Sequence, residues 1–230
     1  MSLRAIVLCK RATDVALVRA AAALGGETIA LTVGAEGEVL SVLAGARAAG
    51  ATRLVRLWDP GLETTDYLGV AYTLAAAIRA IGDPTASPTA IVAGDRGRGV
   101  VGPAVAERLG VPLLGQVVSI AVEGDKLVAK RRGRELVRTF AAALPALVCM
   151  LPDLDATTSQ HDVPSANSAG DVDSWSLAKV GLSAAELSYR KHFASKAAKG
   201  PTPKPRKFPD AAALAARLRD EGLIGRGGKG

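Results

Sequence analysis

A chain of 230 residues has the length of one large domain, or of one domain with an appendage. Hydrophobic residues make up 49% of the chain but aromatic residues only 3%, so its core must be built from Ala, Val, Leu and Ile. The net charge of +7 is compatible with nucleic-acid binding, but the basic cluster Lys126–Arg138 has no interleaved aromatic side chains for base stacking, so we expect no nucleic-acid partner.

The first half of the chain alternates short apolar runs with Ala-rich segments of helical spacing. The predicted strands are Leu3–Cys9, Glu27–Val33, Arg53–Leu57 and Ala90–Ala93, and the predicted helices are Val15–Leu24, Val39–Ala49, Tyr67–Ile81 and one that begins at Pro103. Strands that alternate with helices in this way are typical of a doubly wound parallel sheet with α/β architecture.

The turn after the first predicted strand carries polar residues at the end of the strand where open α/β sheets bind ligands. Lys10 and Arg11 follow the strand at its carboxyl end, which faces the ligand crevice in open α/β sheets, so both are candidates for the site or its rim. Asp14 is the predicted N-cap of the first helix, and Thr65 or Asp66 is the predicted N-cap of the third.

The pattern changes after Gly110, where predicted strands follow one another without helices between them. Leu114–Val122 and Lys126–Arg132 flank a hairpin turn at Glu123–Asp125, and we expect the strands of this region to extend the sheet in antiparallel fashion. Two further strands are predicted at Glu135–Phe140 and Ala146–Met150, followed by a polar loop at Pro152–Ser174. The last predicted elements are a helix at Leu182–Ala198, an extended basic linker at Gly200–Phe208 and an amphipathic helix at Ala211–Glu221.

The central stretch from Ala90 to Leu109 combines a predicted strand, a glycine-rich loop and a helix that starts near Pro103. A glycine loop at a helix start exposes backbone N–H groups and the positive end of the helix dipole, which suits a phosphate group. Its glycines formally spell G-x-G-x-x-G, but no acidic residue follows a second strand as the dinucleotide fingerprint requires. The spacing therefore leaves two interpretations open: a phosphate site, or a tight turn with solvated arginines.

Several classes of protein are excluded by what the sequence lacks. No run of about 18 apolar residues occurs, and the N-terminus does not have the layout of a signal peptide, so we expect a cytoplasmic chain without membrane insertion. Cys9 and Cys149 lie in apolar runs without a CxxC motif, which predicts buried thiols that serve neither as metal ligands nor as redox groups.

A series of short blocks, taken in order, resembles the β subunit of electron transfer flavoprotein. The opening I-V-L-C-K-R-A-T-D, the central D-R-G-R-G-V-V-G-P and the later W-S-L-A-K-V-G-L are similar to segments of that family in the same order. The full set of similar blocks is Ile6–Asp14, Ile29–Gly34, Ala46–Val55, Asp95–Pro103, Val122–Leu127, Leu144–Val148 and Trp175–Leu182.

The resemblance implies an adenine nucleotide α-hydrolase-like, Rossmann-like fold and a role in electron transfer. In that family the β subunit pairs with an α subunit that carries FAD, and the heterodimer takes electrons from a flavin dehydrogenase or demethylase. The β subunit holds AMP, or ADP or a second FAD, and has no catalytic residues of its own. By position, the implied nucleotide contacts are Leu8, Val33, Asp95, Arg96, Gly97, Arg98, Gly99, Val100, Val101, Gly102, Pro103 and Ala104.

The chain also departs from the family pattern, within the central loop at Arg96, Gly97, Arg98 and Val100 and in two longer segments. The family's segment with an Asn-Pro-x-Asp/Glu nucleotide contact is missing, since Asp14 leads almost directly into the first helix. The family's basic recognition loop is replaced by the polar, acidic stretch Asp155–Asp173, which predicts a dedicated donor enzyme. The predicted regions are a nucleotide-binding α/β domain at 1–151, this polar loop at 152–174, and an arm and helix at 175–230 that dock on the partner subunit.

A second hypothesis is a stand-alone adenine-nucleotide sensor of the universal-stress type, which would dimerise by itself and bind ATP without a partner. The basic proline-rich arm and the terminal helix favour the electron-transfer subunit, because a self-sufficient sensor has no need of them. We do not expect an enzyme, since the sequence suggests no nucleophile–base pair, metal cluster or paired carboxylates.

Overall fold

The computed structural model describes residues 2–95, 99–133, 136–151, 169–187 and 208–224. They belong to two compact units, one of residues 1–191 and a smaller one of residues 192–230. The smaller unit contains α6, which spans Ala211–Asp220 and matches the predicted final helix closely. Asp210 caps α6, because its Oδ1 accepts a hydrogen bond of 2.7 Å from the amide of Ala213.

A nine-stranded sheet, flanked by helices, forms the middle of the larger unit. The strands run along the sheet in the order β7-β6-β5-β8-β4-β1-β2-β3-β9, and only the β5–β6 and β6–β7 pairs among them are antiparallel. The strand bounds are β1 Arg4–Leu8, β2 Glu27–Val33, β3 Arg53–Leu57, β4 Thr89–Gly94, β5 Leu113–Glu123, β6 Lys126–Arg132, β7 Val137–Ala143, β8 Ala146–Met150 and β9 Asp173–Trp175. The predicted α/β fold with a mostly parallel sheet is confirmed.

The central strands are covered by helices on both faces. In β1, Ala5 and Val7 pack on the side of Leu43 from the second helix, whereas Ile6 packs on the side of Ile78 from the third. Strands that are buried on both faces need continuous apolar sequence, which is why these runs read as unbroken stretches of Ala, Val, Ile and Leu. The helices of the larger unit are α1 Val15–Ala22, α2 Glu36–Ala48, α3 Tyr67–Ile81, α4 Val101–Leu109 and α5 Ala184–Leu187.

The direction of β8 differs from the expectation of an antiparallel extension. β8 lies between β4 and β5 and runs parallel to both, with Ala90 opposite Ala146 and Leu113 opposite Leu147. Only β5, β6 and β7 form the antiparallel extension, in which the predicted hairpin at Gly124 joins β5 to β6. The physical reason is burial: every residue of β8 is buried, which is typical of a central parallel strand.

The helix starts show which side chains satisfy the unpaired backbone amides. Asp66 is confirmed as the cap of α3, because its Oδ1 accepts hydrogen bonds from the amides of Leu68 and Gly69 at 3.0 and 2.9 Å. The prediction that the Asp14 side chain caps α1 is wrong, since its carboxylate turns back towards the preceding strand instead. α2 begins at Glu36 rather than Val39, and α4 at Val101 rather than Pro103, which stands inside its first turn.

The later part of the larger unit is described only in part. β9 begins at Asp173, inside the stretch predicted to be a polar loop, and pairs with β3. α5 covers Ala184–Leu187 of the predicted helix and begins two residues later than predicted, since Leu182 and Ser183 are not helical. Residues 188–198 of the predicted helix lie outside the described residues, as do most of the predicted loop and linker. The three-part division of the chain stays a prediction.

The basic cluster of the sequence lies on the surface of the antiparallel strands. The basic residues of β6 and β7 that the sequence grouped together are exposed to solvent: Lys126, Lys130, Arg131, Arg132 and Arg138. No described helix has the length and apolar character that crossing a bilayer requires.

A close approach of α4 to the sheet requires glycine at position 102. A Cβ atom added there would lie 2.6 Å from Cys149 Sγ and 3.2 Å from the Cβ of Ala93. Both neighbours are buried at the ends of strands, so they have little room to move. Gly102 therefore allows the start of α4 to rest directly on β4 and β8.

We expect Gly102→Ala to lower the free energy of unfolding by about 1–3 kcal/mol, because it overpacks this contact. Adding Cys149→Ala should recover part of the loss, since it removes the sulfur atom. Gly37→Ala in α2 is the control, because a Cβ there meets nothing within 4 Å. Denaturant unfolding measures all three variants, and equal stability of Gly102→Ala and wild type would contradict the packing.

Candidate functional site

A cavity of about 610 Å³ lies at the carboxyl ends of the central parallel strands. Leu8 of β1, Val33 of β2 and Gly94 of β4 contribute to its wall. The chain places β2 and β3 on one side of β1 and then crosses to place β4 on the other, so β1 and β4 flank the topological switch point. Doubly wound sheets bind ligands in the crevice outside this point, and the volume suits a small molecule, for which roughly 300–1,000 Å³ is usual.

One side of the cavity is apolar and includes a tryptophan. Trp58 follows β3, where its amide donates to the carbonyl of Trp175 at 3.0 Å. Beside it lie Leu62 from the turn after β3 and Leu74 from α3. A flat indole next to aliphatic side chains suits a flat aromatic ring such as a nucleobase. The sequence analysis did not predict this wall, although one of the chain's two tryptophans directly after a buried strand could have indicated an apolar binding surface there.

The start of α4 forms another part of the cavity wall. Gly99, Val100, Val101 and Gly102 all line the cavity there. The first-turn amides of a helix have no acceptor within the helix and lie at the positive end of its dipole, so they suit an anion. The cavity lining thus combines apolar side chains with backbone amides that can donate hydrogen bonds to a phosphate.

Eleven of the twelve predicted nucleotide contacts divide into three groups. Those that line the cavity are Leu8, Val33, Gly99, Val100, Val101 and Gly102. Pro103 and Ala104 belong to the first turn of α4 but do not line the cavity, and Arg96, Gly97 and Arg98 lie outside the described residues. The assignment of all of these as nucleotide contacts stays a prediction.

Asp95, the remaining predicted contact, makes contacts with neighbouring strands. Its amide donates to the carbonyl of Met150 at 2.6 Å, and its Oδ2 accepts from the amide of Gln116 at 3.2 Å. Gln116 has a left-handed φ of 57° and lies where the register of β5 shifts, so a side-chain partner for its amide supports that irregularity. Asp95 is not among the residues that line the cavity.

Asp14 closes the turn between β1 and α1 and lines the cavity. Its Oδ2 accepts hydrogen bonds from the amides of Lys10 and Arg11 at 2.8 and 2.9 Å, and the residue is only 7% exposed. Its Oδ1 approaches Gly94 so closely that a Cβ added there would lie 3.2 Å away. The carboxylate therefore lies between the ends of β1 and β4.

Charged side chains surround the mouth of the cavity. Lys10 and Arg11 line it, as the sequence predicted, and Glu38 and Glu63 do so as well. The Nζ of Lys10 lies 3.2 Å from the carbonyl oxygen of Val33 and 3.5 Å from Glu38 Oε2. Both ends of the Lys10–Glu38 pair are well exposed, so the pair contributes little to stability, about 0–1 kcal/mol.

Both cysteines are free and buried, which confirms that part of their prediction. Burial raises the pKa of the Cys149 thiol to about 12, and the charge of Asp95 adds to the shift. Burial also raises the pKa of Cys9 far above its ordinary value, with a contribution from Asp14. Across the described ranges, no three His, Cys, Asp or Glu residues lie together as a metal ion would need.

We expect both thiols to resist a disulfide reagent at pH 8 in the folded chain, because the thiolate is the reactive form and its population is suppressed. Reaction should be about 100-fold slower than in denaturant, where both thiols become available. Absorbance of the released thiol measures the rate, with Cys9→Ser and Cys149→Ser assigning each step. A rate in native buffer equal to that in denaturant would contradict the burial.

Comparison with known proteins identifies the family. Residues 10–180 match the model of the electron transfer flavoprotein domain. The chain is 35% identical to Protein FixA of Azorhizobium caulinodans over 134 residues, which cover 55% of this chain and 47% of that protein. It is 37% identical to Protein FixA of Bradyrhizobium diazoefficiens (55% and 46% covered) and 33% identical to the electron transfer flavoprotein subunit beta of Mycobacterium leprae (54% and 46% covered). The chain spans about half the length of these curated relatives, but the domain match covers most of its own length, and the chain belongs to the electron transfer flavoprotein family.

Proposed function

We propose that this chain is the β-type subunit of a heterodimeric electron transfer flavoprotein. It binds a structural adenine nucleotide, AMP or else ADP or FAD, and supports the FAD of an α subunit in the cytoplasm. Electrons then pass from a flavin dehydrogenase or demethylase to a downstream acceptor. The observation that supports this most strongly is the cavity at the switch point, whose lining from Lys10 to Gly102 lies inside the matched family segment.

The lining of the cavity offers groups that suit both the base and the phosphate of an adenine nucleotide. The apolar side near Trp58 and Leu62 suits the base, and the amides of Val101 and Gly102 suit a phosphate. Carboxylates at the mouth, among them Glu38, can accept hydrogen bonds from ribose hydroxyls. All of these groups belong to the larger unit.

In electron transfer, the role of the chain is to bind a nucleotide and to support the flavin of the α subunit, and it does not catalyse a reaction itself. The flavin held with the α subunit supplies the electron-carrying chemistry. In this chain, the two thiols are buried and kept protonated, and Asp14 already accepts two backbone amides. None of these groups is placed as a base or a nucleophile, which supports a subunit without catalytic residues of its own.

Trp58 provides a direct test of the nucleotide site. Adding AMP to protein freed of bound nucleotide should change the tryptophan fluorescence, because Trp58 lines the cavity. Trp58→Phe should remove the change, whereas Trp175→Phe should retain it, since the second tryptophan lies on β9 and does not line the cavity. A response that survives in Trp58→Phe, or no AMP response in wild type, would place the nucleotide elsewhere or exclude it.

Co-expression with a neighbouring electron transfer flavoprotein α subunit tests the assembly. The expected product is a yellow heterodimer, and denaturing it should release FAD together with the nucleotide of this chain. Size-exclusion chromatography with flavin absorbance and chromatography of the released nucleotides measure the result. If the two chains elute separately and this chain forms a colourless dimer that binds ATP, the stand-alone sensor is the better explanation.

A further inference from the structure

We propose that Arg47, Arg53 and Arg56, which we call the arginine clamp, are positioning residues for the apolar wall of the cavity. The clamp holds the segment 169–175 against the edge of the sheet, and this segment in turn fixes the backbone of Trp58. The inference rests on the proposed function and deepens it, because it assigns the placement of the base-binding surface to three side chains that do not line the cavity.

The first step concerns β9, which is weak as an isolated element. β9 has three residues, Asp173–Trp175, and it is the outermost of the described strands, where it pairs with β3. None of these three residues is fully buried. A short edge strand with little buried surface opens easily by local unfolding, so side-chain contacts are needed to keep β9 in place.

The second step is the set of contacts that two members of the clamp make with β9. Arg53 Nε donates to Asp173 Oδ2 at 2.8 Å, and its guanidinium carbon lies 5.8 Å from the centre of the Trp175 ring, within reach of a cation–π contact. Arg56 donates to Ser174 Oγ from Nε and from Nη2, both at 3.4 Å. Each residue of β9 therefore receives a contact from a side chain of β3.

The third step is Arg47, which lies in the last turn of α2 and reaches the same segment before β9 begins. Its Nε and Nη2 donate to the carbonyl oxygens of Ala169 and Asp171 at 3.3 and 3.1 Å. Its Nη1 donates to the carbonyl oxygens of Ala51 and Thr52 at 3.3 and 2.8 Å. The planar fork of arginine presents several donors in a fixed geometry, so one guanidinium joins the turn before β3 to the segment that leads into β9.

The fourth step connects β9 to the cavity. The amide of Trp58 donates to the carbonyl of Trp175 at 3.0 Å, directly beyond the last register pair of the two strands, Leu57 and Trp175. Because this bond fixes the backbone of Trp58, it also fixes where the indole stands in the cavity wall. Detachment of β9 would free that backbone and let the wall relax.

The residues after β9 support the same wall without lining the cavity. Leu62 lies in the turn after β3 and lines the cavity, and the start of α5 packs on this turn, where a Cβ added to Gly61 would overlap the Cβ of Ala184. Thr65 Oγ1 donates to the carbonyl of Leu187 at 3.0 Å. The wall is therefore backed by residues 173–187, and the clamp fixes the start of this segment.

The test follows the fluorescence of Trp58 in the full-length chain freed of bound nucleotide. Trp175→Phe is the background for every variant, because it leaves Trp58 as the only tryptophan and keeps an aromatic ring beside Arg53. In this background the double variant Arg47→Gln/Arg53→Gln should raise the acrylamide quenching constant of Trp58 about twofold or more, since the released wall opens to solvent. The Kd for AMP, measured by calorimetry, should rise about fivefold or more, because ordering the wall on binding then costs affinity.

Two further variants show whether the effect is one of position. Arg53→Lys keeps a positive charge near Asp173, so it should be quenched and bind AMP like the background, whereas Arg53→Gln should show part of both changes. Arg4→Gln is the matched control, because Arg4 Nε makes the same kind of ion pair with Glu27 Oε2, at 3.2 Å, but at the amino ends of β1 and β2. It should change neither the quenching nor the Kd, even where denaturant unfolding shows an equal loss of stability.

An unchanged quenching constant in the folded double variant, or an equal increase in Arg4→Gln, overturns the inference. Higher quenching with an unchanged Kd for AMP also overturns it, because the wall would then move without affecting the base. If the double variant does not fold, the comparison of Arg53→Gln with Arg53→Lys decides, and equal quenching of these two overturns the inference. If wild type does not bind AMP, the proposed nucleotide site is rejected instead, and the quenching, which needs no ligand, still decides whether the clamp positions Trp58.

Discussion

The burial of the central parallel strands is the constraint on which the rest of the structure depends. β1 and β4 lie side by side with helices on both faces, so their backbone groups are paired along the sheet and all of their residues except Arg4 and Gly94 are buried. Backbone groups become free only where the strands end. The carboxyl ends of β1, β2 and β4 therefore meet at one edge, and the cavity there is a consequence of the topology.

The sequence was sufficient for those elements whose signals are local. β2, β3 and α3 have the predicted bounds, because apolar runs, glycine stops and the cap at Asp66 all act within a few residues. The parallel direction of β8 depends on its position between β4 and β5, and patterns within a few residues of sequence do not predict that position. Asp14 was assigned wrongly for a related reason: the amides before it and after it lie equally close in sequence, and only the fold decides between them.

The same distinction applies to the candidate site. The resemblance implied Leu8 and Val33, and both the resemblance and the glycine-rich loop indicated the segment from Gly99 to Gly102; all of these residues line the cavity. The wall of Trp58, Leu62 and Leu74 was missed, since it forms only when the turn after β3 and the helix α3 fold over the ends of β1 and β2. Resemblance identified where a nucleotide would lie, but packing decides what surrounds it.

The length of the turn after β1 connects the fold to the chemistry of the cavity. Only a few residues separate β1 from α1, and a short 3-10 turn at Ala12–Asp14 fills this space. So tight a turn leaves the amides of Lys10 and Arg11 pointing at the next available acceptor, which is the side chain of Asp14. Asp14 thereby lies in the cavity lining, so the position of this acidic side chain at the site follows from the geometry of one turn.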